Sequence, residues 1–361
     1  MSNGIGFRKT LALEAFRQIR KSRVELHELK QLFWECTLRC NAACRHCGSD
    51  CKVSASQQDM PLKEFLKVVD EIRPHVDYHH LLIILTGGEA LMRKDIEQCG
   101  LELYDREFPW GMVTNGVMLP HRLEGLLNAG MRSCTVSLDG FEPEHTWMRQ
   151  IPEGFIRAEL AIRLLAQTRN VHWDVVTCAN QKNYNSLPRF KDYLLSIGVR
   201  SWRIFTVFPV GRAAQVPELQ LTDEQFRGLM DFIAQCRKEG FHVNYGCEGF
   251  LGRYEREVRD QFYECHAGVN VASVLADGSI SGCPSIRANY YQGNIYKDSF
   301  WEVWNNRFEA YRHRKWMKQD ICADCKMYRY CEGNGMHLRD DQGKLLVCHY
   351  KSYKLRATSD K

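Results

Sequence analysis

From residue 32 to about residue 208, short apolar runs alternate with helical repeats. Runs rich in Val, Ile and Leu fall at 32–36, 81–85, 111–114, 133–138, 172–177 and 202–207; each has the length of a buried strand. Between them the spacing predicts helices over 62–72, 94–104, 119–129, 155–167 and 187–196, with another over 222–239. Six strand–helix units in series predict an α/β fold with a parallel sheet and outer helices, curled by right-handed crossovers into a partial (β/α)6 barrel. Functional loops in such a sheet follow the C-terminal strand ends, here 40–47, 86–89, 114–116, 137–140 and 208–212.

Beyond residue 240 the pattern breaks into short runs with many glycines and most of the remaining cysteines. This predicts an N-terminal helical segment over 1–30, a barrel over 31–245 and a smaller cysteine-rich domain over 246–361. In the first segment Phe7, Leu11, Ala15, Ile19, Val24 and Leu29 fall near one side of a helix, and seven Lys/Arg face three Glu over residues 1–30. Two readings stand: a helix packed on the outside of the domain, or a basic amphipathic helix that docks a peptide or membrane surface.

Composition narrows the class. Hydrophobic residues make up 44% and charged residues 26%, the balance of a globular protein. The longest apolar run, around 81–85, is far too short to span a bilayer, and the basic N-terminus lacks the uninterrupted apolar core of a signal peptide; a cytoplasmic location is expected. The net charge of +5 is nearly all local to residues 1–30, which excludes a broad nucleic-acid footprint. Sixteen cysteines in a reducing compartment point to metal rather than disulfides. Cys36, Cys40, Cys44, Cys47 and Cys51 form one group; Cys265, Cys283, Cys322, Cys325, Cys331 and Cys348 form another. Cys99, Cys134, Cys178 and Cys236 read as small buried residues.

Cys40, Cys44 and Cys47 make a C-x3-C-x2-C array just after a predicted strand. Three thiolates can hold three irons of a [4Fe–4S] cluster and leave the fourth open, as a catalytic site requires; a zinc site recruiting Cys36 or Cys51 is the competing reading. The array, followed by Thr-Gly-Gly-Glu at 86–89, resembles the radical S-adenosylmethionine (SAM) superfamily. The resemblance implies that the open iron chelates SAM and that reductive cleavage yields methionine and a 5′-deoxyadenosyl radical. It implies Gly87, Gly88 and Glu89 as cofactor-binding residues, with Glu89 accepting from the ligand ammonium, and adds Ser137 and Asp139 from Val-Ser-Leu-Asp-Gly at 136–140. Asp139 has a second reading as a turn cap, Asn115 reads as a turn residue, and Thr177, Arg212 and the 208–213 stretch are placed near the adenosyl group.

The second group, C-x12-G-x4-C from Cys265 to Cys283, then Cys322-x2-Cys325-x5-Cys331 and a distant Cys348, resembles the SPASM extension of radical enzymes that modify peptides and proteins. By that resemblance Cys322, Cys325, Cys331 and Cys348 hold one complete auxiliary [4Fe–4S] cluster. Cys265 and Cys283 belong to a second, which loses a ligand because Gly335 stands where the family has cysteine; Cys247 is the candidate to complete it. A zinc knuckle at 322–325 is the alternative. The implied partners are a peptide or small protein substrate in trans and an external reductant such as flavodoxin or ferredoxin. An electron-transfer or binding protein without radical chemistry is the rival class, opposed by the Gly-Gly-Glu loop. Formylglycine formation as in sulfatase maturation is a further alternative, opposed by Pro284 and Ser285 where those relatives carry Asp. The 35–51 segment also resembles SPASM proteins of gut anaerobes proposed to modify small lipoproteins.

Overall fold

The computed structural model describes residues 5–49, 51–55, 57–246 and 248–352; Cys247 lies outside the described residues. Seven parallel strands run in chain order across one sheet: β1 (Gln31–Thr37), β2 (Leu82–Gly87), β3 (Trp110–Thr114), β4 (Met131–Ser137), β5 (His172–Ala179), β6 (Ser201–Thr206) and β7 (His242–Tyr245). Sequence pattern predicts only the first six. β7 carries just Val243 and Tyr245 as buried positions, too short an alternation to stand out.

Helices α1 (Phe7–Leu26), α2 (Leu62–Ile72), α3 (Ile96–Asp105), α4 (Leu119–Asn128), α5 (Glu142–Arg149), α6 (Gly154–Gln167), α7 (Leu187–Ser196) and α8 (Asp223–Lys238) complete the layer. α2 buries Phe65, Val68, Val69 and Ile72, the i, i+3, i+4, i+7 stripe of an amphipathic helix. Phe65 stacks on Trp34 of β1, with ring centroids 4.3 Å apart. α8 starts at a capping box in which the Thr222 hydroxyl accepts from the Gln225 amide and the Gln225 side chain returns the bond.

The cysteine-rich region does not stand apart. Its strands β8 (Val271–Val274), β9 (Ser279–Ser281) and β10 (Gly293–Asn294) extend the same sheet, with β8 parallel to β1 on the side opposite β2. α1 lies against that region with the face opposite to the predicted one. Phe7, Leu11 and Ile19 are exposed, whereas Leu13 and Arg20 are buried. Arg20 donates to the carbonyls of Tyr330 and Arg329 and pairs with Glu332, and Arg23 pairs with Glu264 at 2.6 Å. Leu13, buried among Phe250, Tyr263, Met327 and Tyr330, and Phe16 against Phe262 join these polar clamps in holding the helix, and neither lies on the Phe7, Leu11, Ile19 line that hydrophobic periodicity selects. Among the described residues no helix is long and apolar enough to cross a membrane.

Candidate active site at the C-terminal strand ends

The pairing of β1 with β2 is irregular between Glu35 and Thr37, and a bulge at this point re-aims the chain into the cysteine loop. Cys40 is tied by its amide to the Lys52 carbonyl at 2.8 Å, and the Arg212 amide binds the Cys47 carbonyl at 3.1 Å. Cys40, Cys44 and Cys47 open onto one cavity of about 150 Å³. Cys51, His46, Gly87, Gly88, Glu89, Asn115, Ser137, Arg149 and Arg212 also line it.

Gly87 and Gly88 serve the protein before any ligand. Gly87 has φ +144°, and a Cβ there would lie 2.1 Å from the Thr37 carbonyl oxygen; one on Gly88 would lie 2.3 Å from that of Arg39. The two glycines let the end of β2 seat directly on the backbone entering the cysteine loop, with Gly88 and Glu89 amides donating to Thr37 and Arg39 at 2.8 and 2.9 Å. Glu89 is 1% exposed. Its carboxylate accepts from Thr114 Oγ1 at 2.8 Å, the Asn115 amide at 2.7 Å and the Leu91 amide at 3.3 Å. Burial raises its pKa, and these donors only partly counter that. Asn115 does more than turn the chain: its Nδ2 donates to Asn41 Oδ1 at 2.7 Å, linking β3 to the cysteine loop.

Ser137 lines the cavity; Asp139 does not. The Asp139 carboxylate is fully buried, accepting from Arg149 Nε at 2.5 Å and the Cys178 amide at 2.8 Å. It is therefore a counter-ion rather than a wall of the cavity. Thr177 is likewise spent inside the fold, donating to the Leu138 carbonyl and accepting from Trp202 Nε1.

Arg149 is the residue that sequence pattern misses. It ends α5, a helix with too few apolar residues for a clear period, and directs Nη1 at Cys44 Sγ, 3.9 Å away. Burial opposes its charge, but Asp139, Cys44 and Cys178 together hold its pKa above the usual value. His46 is a second. Its Nδ1 is buried without a hydrogen-bond partner, and burial lowers its pKa to about 3, so the imidazole is neutral. Arg212 donates to the Cys44 carbonyl at 2.7 Å and braces the loop from beyond β6.

These features suit an iron–sulfur cluster. The Ala42 amide points at Cys40 Sγ at 3.4 Å and the Arg149 guanidinium at Cys44 Sγ, the kind of positive partner that bound thiolates take. Without a metal, burial raises the Cys40 thiol to about 12, while hydrogen bonding to Cys51 lowers Cys47 to about 5. Among the described residues no three His, Cys, Asp or Glu side chains gather tightly enough for a single ion. The thiols line a cavity instead of closing on a point.

In the second group burial raises the Cys331 and Cys348 thiols, and the nearby Cys322 and Cys325 thiols push both in the same direction. Arg339 Nη2 points at Cys322 Sγ at 3.6 Å. Cys283 lies beside Cys265, near Tyr311 and the buried Arg314, and Cys265 lines one small cavity with Cys331. A side chain on Gly335 would meet the ring of His337 at 2.6 Å, so space beside the missing thiol is filled by imidazole.

Residues 34–192 match the radical SAM superfamily model, and residues 265–326 match the SPASM model, an iron–sulfur cluster-binding domain. The AdoMet-dependent heme synthase of Oleidesulfovibrio alaskensis is 25% identical over 91% of this chain and 89% of its own. The mycofactocin maturase MftC of Mycolicibacterium smegmatis is 26% identical over 84% of this chain and 77% of its own. The fold matches Streptococcus suis SuiB bound to S-adenosylmethionine with a TM-score of 0.69 at 14% identity, over 86% of this chain and 75% of that one. It matches anSMEcpe with bound AdoMet and the Cp18Cys peptide equally well, at 19% identity over 91% and 95%.

Proposed function

We propose that this chain, a radical SAM enzyme with a C-terminal SPASM domain, uses the radical it generates to modify an unactivated carbon in a peptide or protein. The observation that carries the radical step is the convergence of Cys40, Cys44 and Cys47 with Glu89 on one cavity. In this reading the three thiolates hold a [4Fe–4S] cluster, and Cys322, Cys325, Cys331 and Cys348 hold an auxiliary one. What the first cluster supplies when bound is an electron for the sulfonium of SAM, releasing methionine and the 5′-deoxyadenosyl radical. The chain's own residues do the rest. Glu89, fixed by three donors, presents a carboxylate to the ammonium of SAM. Arg149 balances negative charge at Cys44. His46, neutral and unpartnered at Nδ1, offers the cofactor a hydrogen-bonding edge.

For the peptide substrate, the support is the SPASM domain and the similarity to the mycofactocin maturase. The similarity to heme synthases favours a second reading, in which the radical acts on a porphyrin side chain. Reduced protein incubated with SAM tests the shared step by release of 5′-deoxyadenosine; none would sink it. The substrate readings separate on binding: an iron porphyrin would develop a Soret band on the protein under the second, and leave only the spectrum of free porphyrin under the first.

A further inference from the structure

Ala43 is exposed between two cysteines of the loop, and the next residue but one, Arg45, lies half-buried at the surface. The Arg45 guanidinium rests over the Trp147 ring, 5.2 Å from its centroid, and donates to the Trp147 carbonyl at 3.0 Å. From the other side Lys182, exposed on the loop after β5, brings its ammonium to 5.7 Å from the same ring. Among the described residues neither cation has a carboxylate partner. The acceptors around Arg45 are neutral: the Trp147 carbonyl and the Gln150 amide, whose oxygen faces Arg45 when correctly turned. Both positions are rigid. The Arg45 amide binds the Met148 carbonyl at 2.9 Å. The Lys182 amide binds Asn180 Oδ1 at 2.8 Å, within a turn that Asn183 ties to the Asp139 carbonyl. The patch is continuous with the cluster loop: α5 carries Trp147 on its outer side, and two residues later Arg149 points inward at Cys44.

We propose that Arg45, Trp147 and Lys182 form the docking surface for an acidic one-electron carrier of the flavodoxin type, and that electrons reach the loop of Cys40, Cys44 and Cys47 through this face. The inference rests on the reading that those cysteines hold a reducible cluster. Two unpaired cations on an aromatic plate, at the point where the loop nears the surface, offer an acidic partner both steering and contact. The step balances: a flavodoxin hydroquinone gives up one electron and becomes the semiquinone, and the cluster passes from its 2+ to its 1+ state.

The probe is a bacterial flavodoxin. Lys182→Glu should weaken binding of the oxidised flavodoxin by about tenfold at low salt, with Lys182→Gln in between. Wild-type affinity should fall as salt rises. Arg45→Gln should weaken the same binding. SAM cleavage driven by flavodoxin hydroquinone should slow to match in the Lys182 variants, whereas cleavage driven by dithionite should keep its wild-type rate. Unchanged flavodoxin affinity in Lys182→Glu overturns the proposal. Equal loss with flavodoxin and dithionite overturns it too, because the patch would then serve the loop or the substrate. Wild-type protein that fails to cleave SAM with dithionite sinks the radical reading beneath it instead.

Discussion

Glu89 concentrates the site's electrostatics in one side chain. A carboxylate held by three donors and stripped of water is costly until a cation arrives. Glu89→Gln keeps the shape but gives up the charge-assisted bond, worth about 1.5–3 kcal/mol, so SAM affinity should fall roughly ten- to a hundredfold with iron content unchanged; calorimetric titration measures it. The pH dependence has a definite sign. Burial raises the Glu89 pKa in the folded protein, and in the proposed contact the ammonium of SAM takes the ionised form, so below that folded pKa binding expels a proton. Affinity should rise with pH through the folded pKa and then level off; a flat profile would remove Glu89 from the contact. Asp139 stands one layer behind. Asp139→Asn leaves the buried Arg149 charge without its partner, a change that costs about 3–5 kcal/mol for pairs of this kind. A large drop in thermal midpoint should accompany faster iron loss from the first site.

At the scale of elements, what the chain announced in advance was what is local. Ligand spacing in a loop is a short-range property, so the 40–47 array and the 322–331 array stand out in the sequence, as do the buried strands and the 86–89 loop that follows β2. What escaped depends on how distant elements meet. Arg149 matters only because α5 lies against the cysteine loop, and its helix lacks the apolar period that would announce it. Asp139 was placed near the cofactor by its position after β4, yet its carboxylate turns to Arg149. The packed face of α1 is illegible because a single leucine, Leu13, and the charged Arg20 and Arg23 make its contacts, not an apolar stripe. That contact yields a prediction. Arg20→Ala strands the buried carbonyl of Tyr330 beside Cys331, and a buried unpaired acceptor costs about 1–3 kcal/mol. Iron should be lost from the auxiliary site first, while SAM cleavage by the barrel survives. Deleting residues 1–22 should do the same more severely, with poor recovery of folded protein. A truncated protein that kept all its iron but lost peptide affinity would instead restore the docking role for this helix.

Across the whole molecule the sheet is continuous from β10 to β7, so the strands of the auxiliary region are hydrogen-bonded to those that carry the radical site. Glu35 of β1 makes the join explicit: it is 3% exposed, and Arg287, four residues past Cys283, reaches it at 2.8 Å. The cluster count follows from the same arrangement. Four thiols gather at Cys322, Cys325, Cys331 and Cys348. Cys265 and Cys283 lie beside one another, Cys265 also next to Cys331, and His337 crowds the place where Gly335 lacks a thiol. Two complete clusters predict about eight irons per chain in anaerobically reconstituted protein, and Cys325→Ala should lower that to about four. The triple change of Cys40, Cys44 and Cys47 to Ala should also leave about four, but with no 5′-deoxyadenosine formed, whereas Cys325→Ala retains some uncoupled cleavage. About twelve irons in the wild type would mean that Cys265 and Cys283 find two further ligands and hold a third cluster; zinc with negligible iron would overturn the iron–sulfur assignment of both groups.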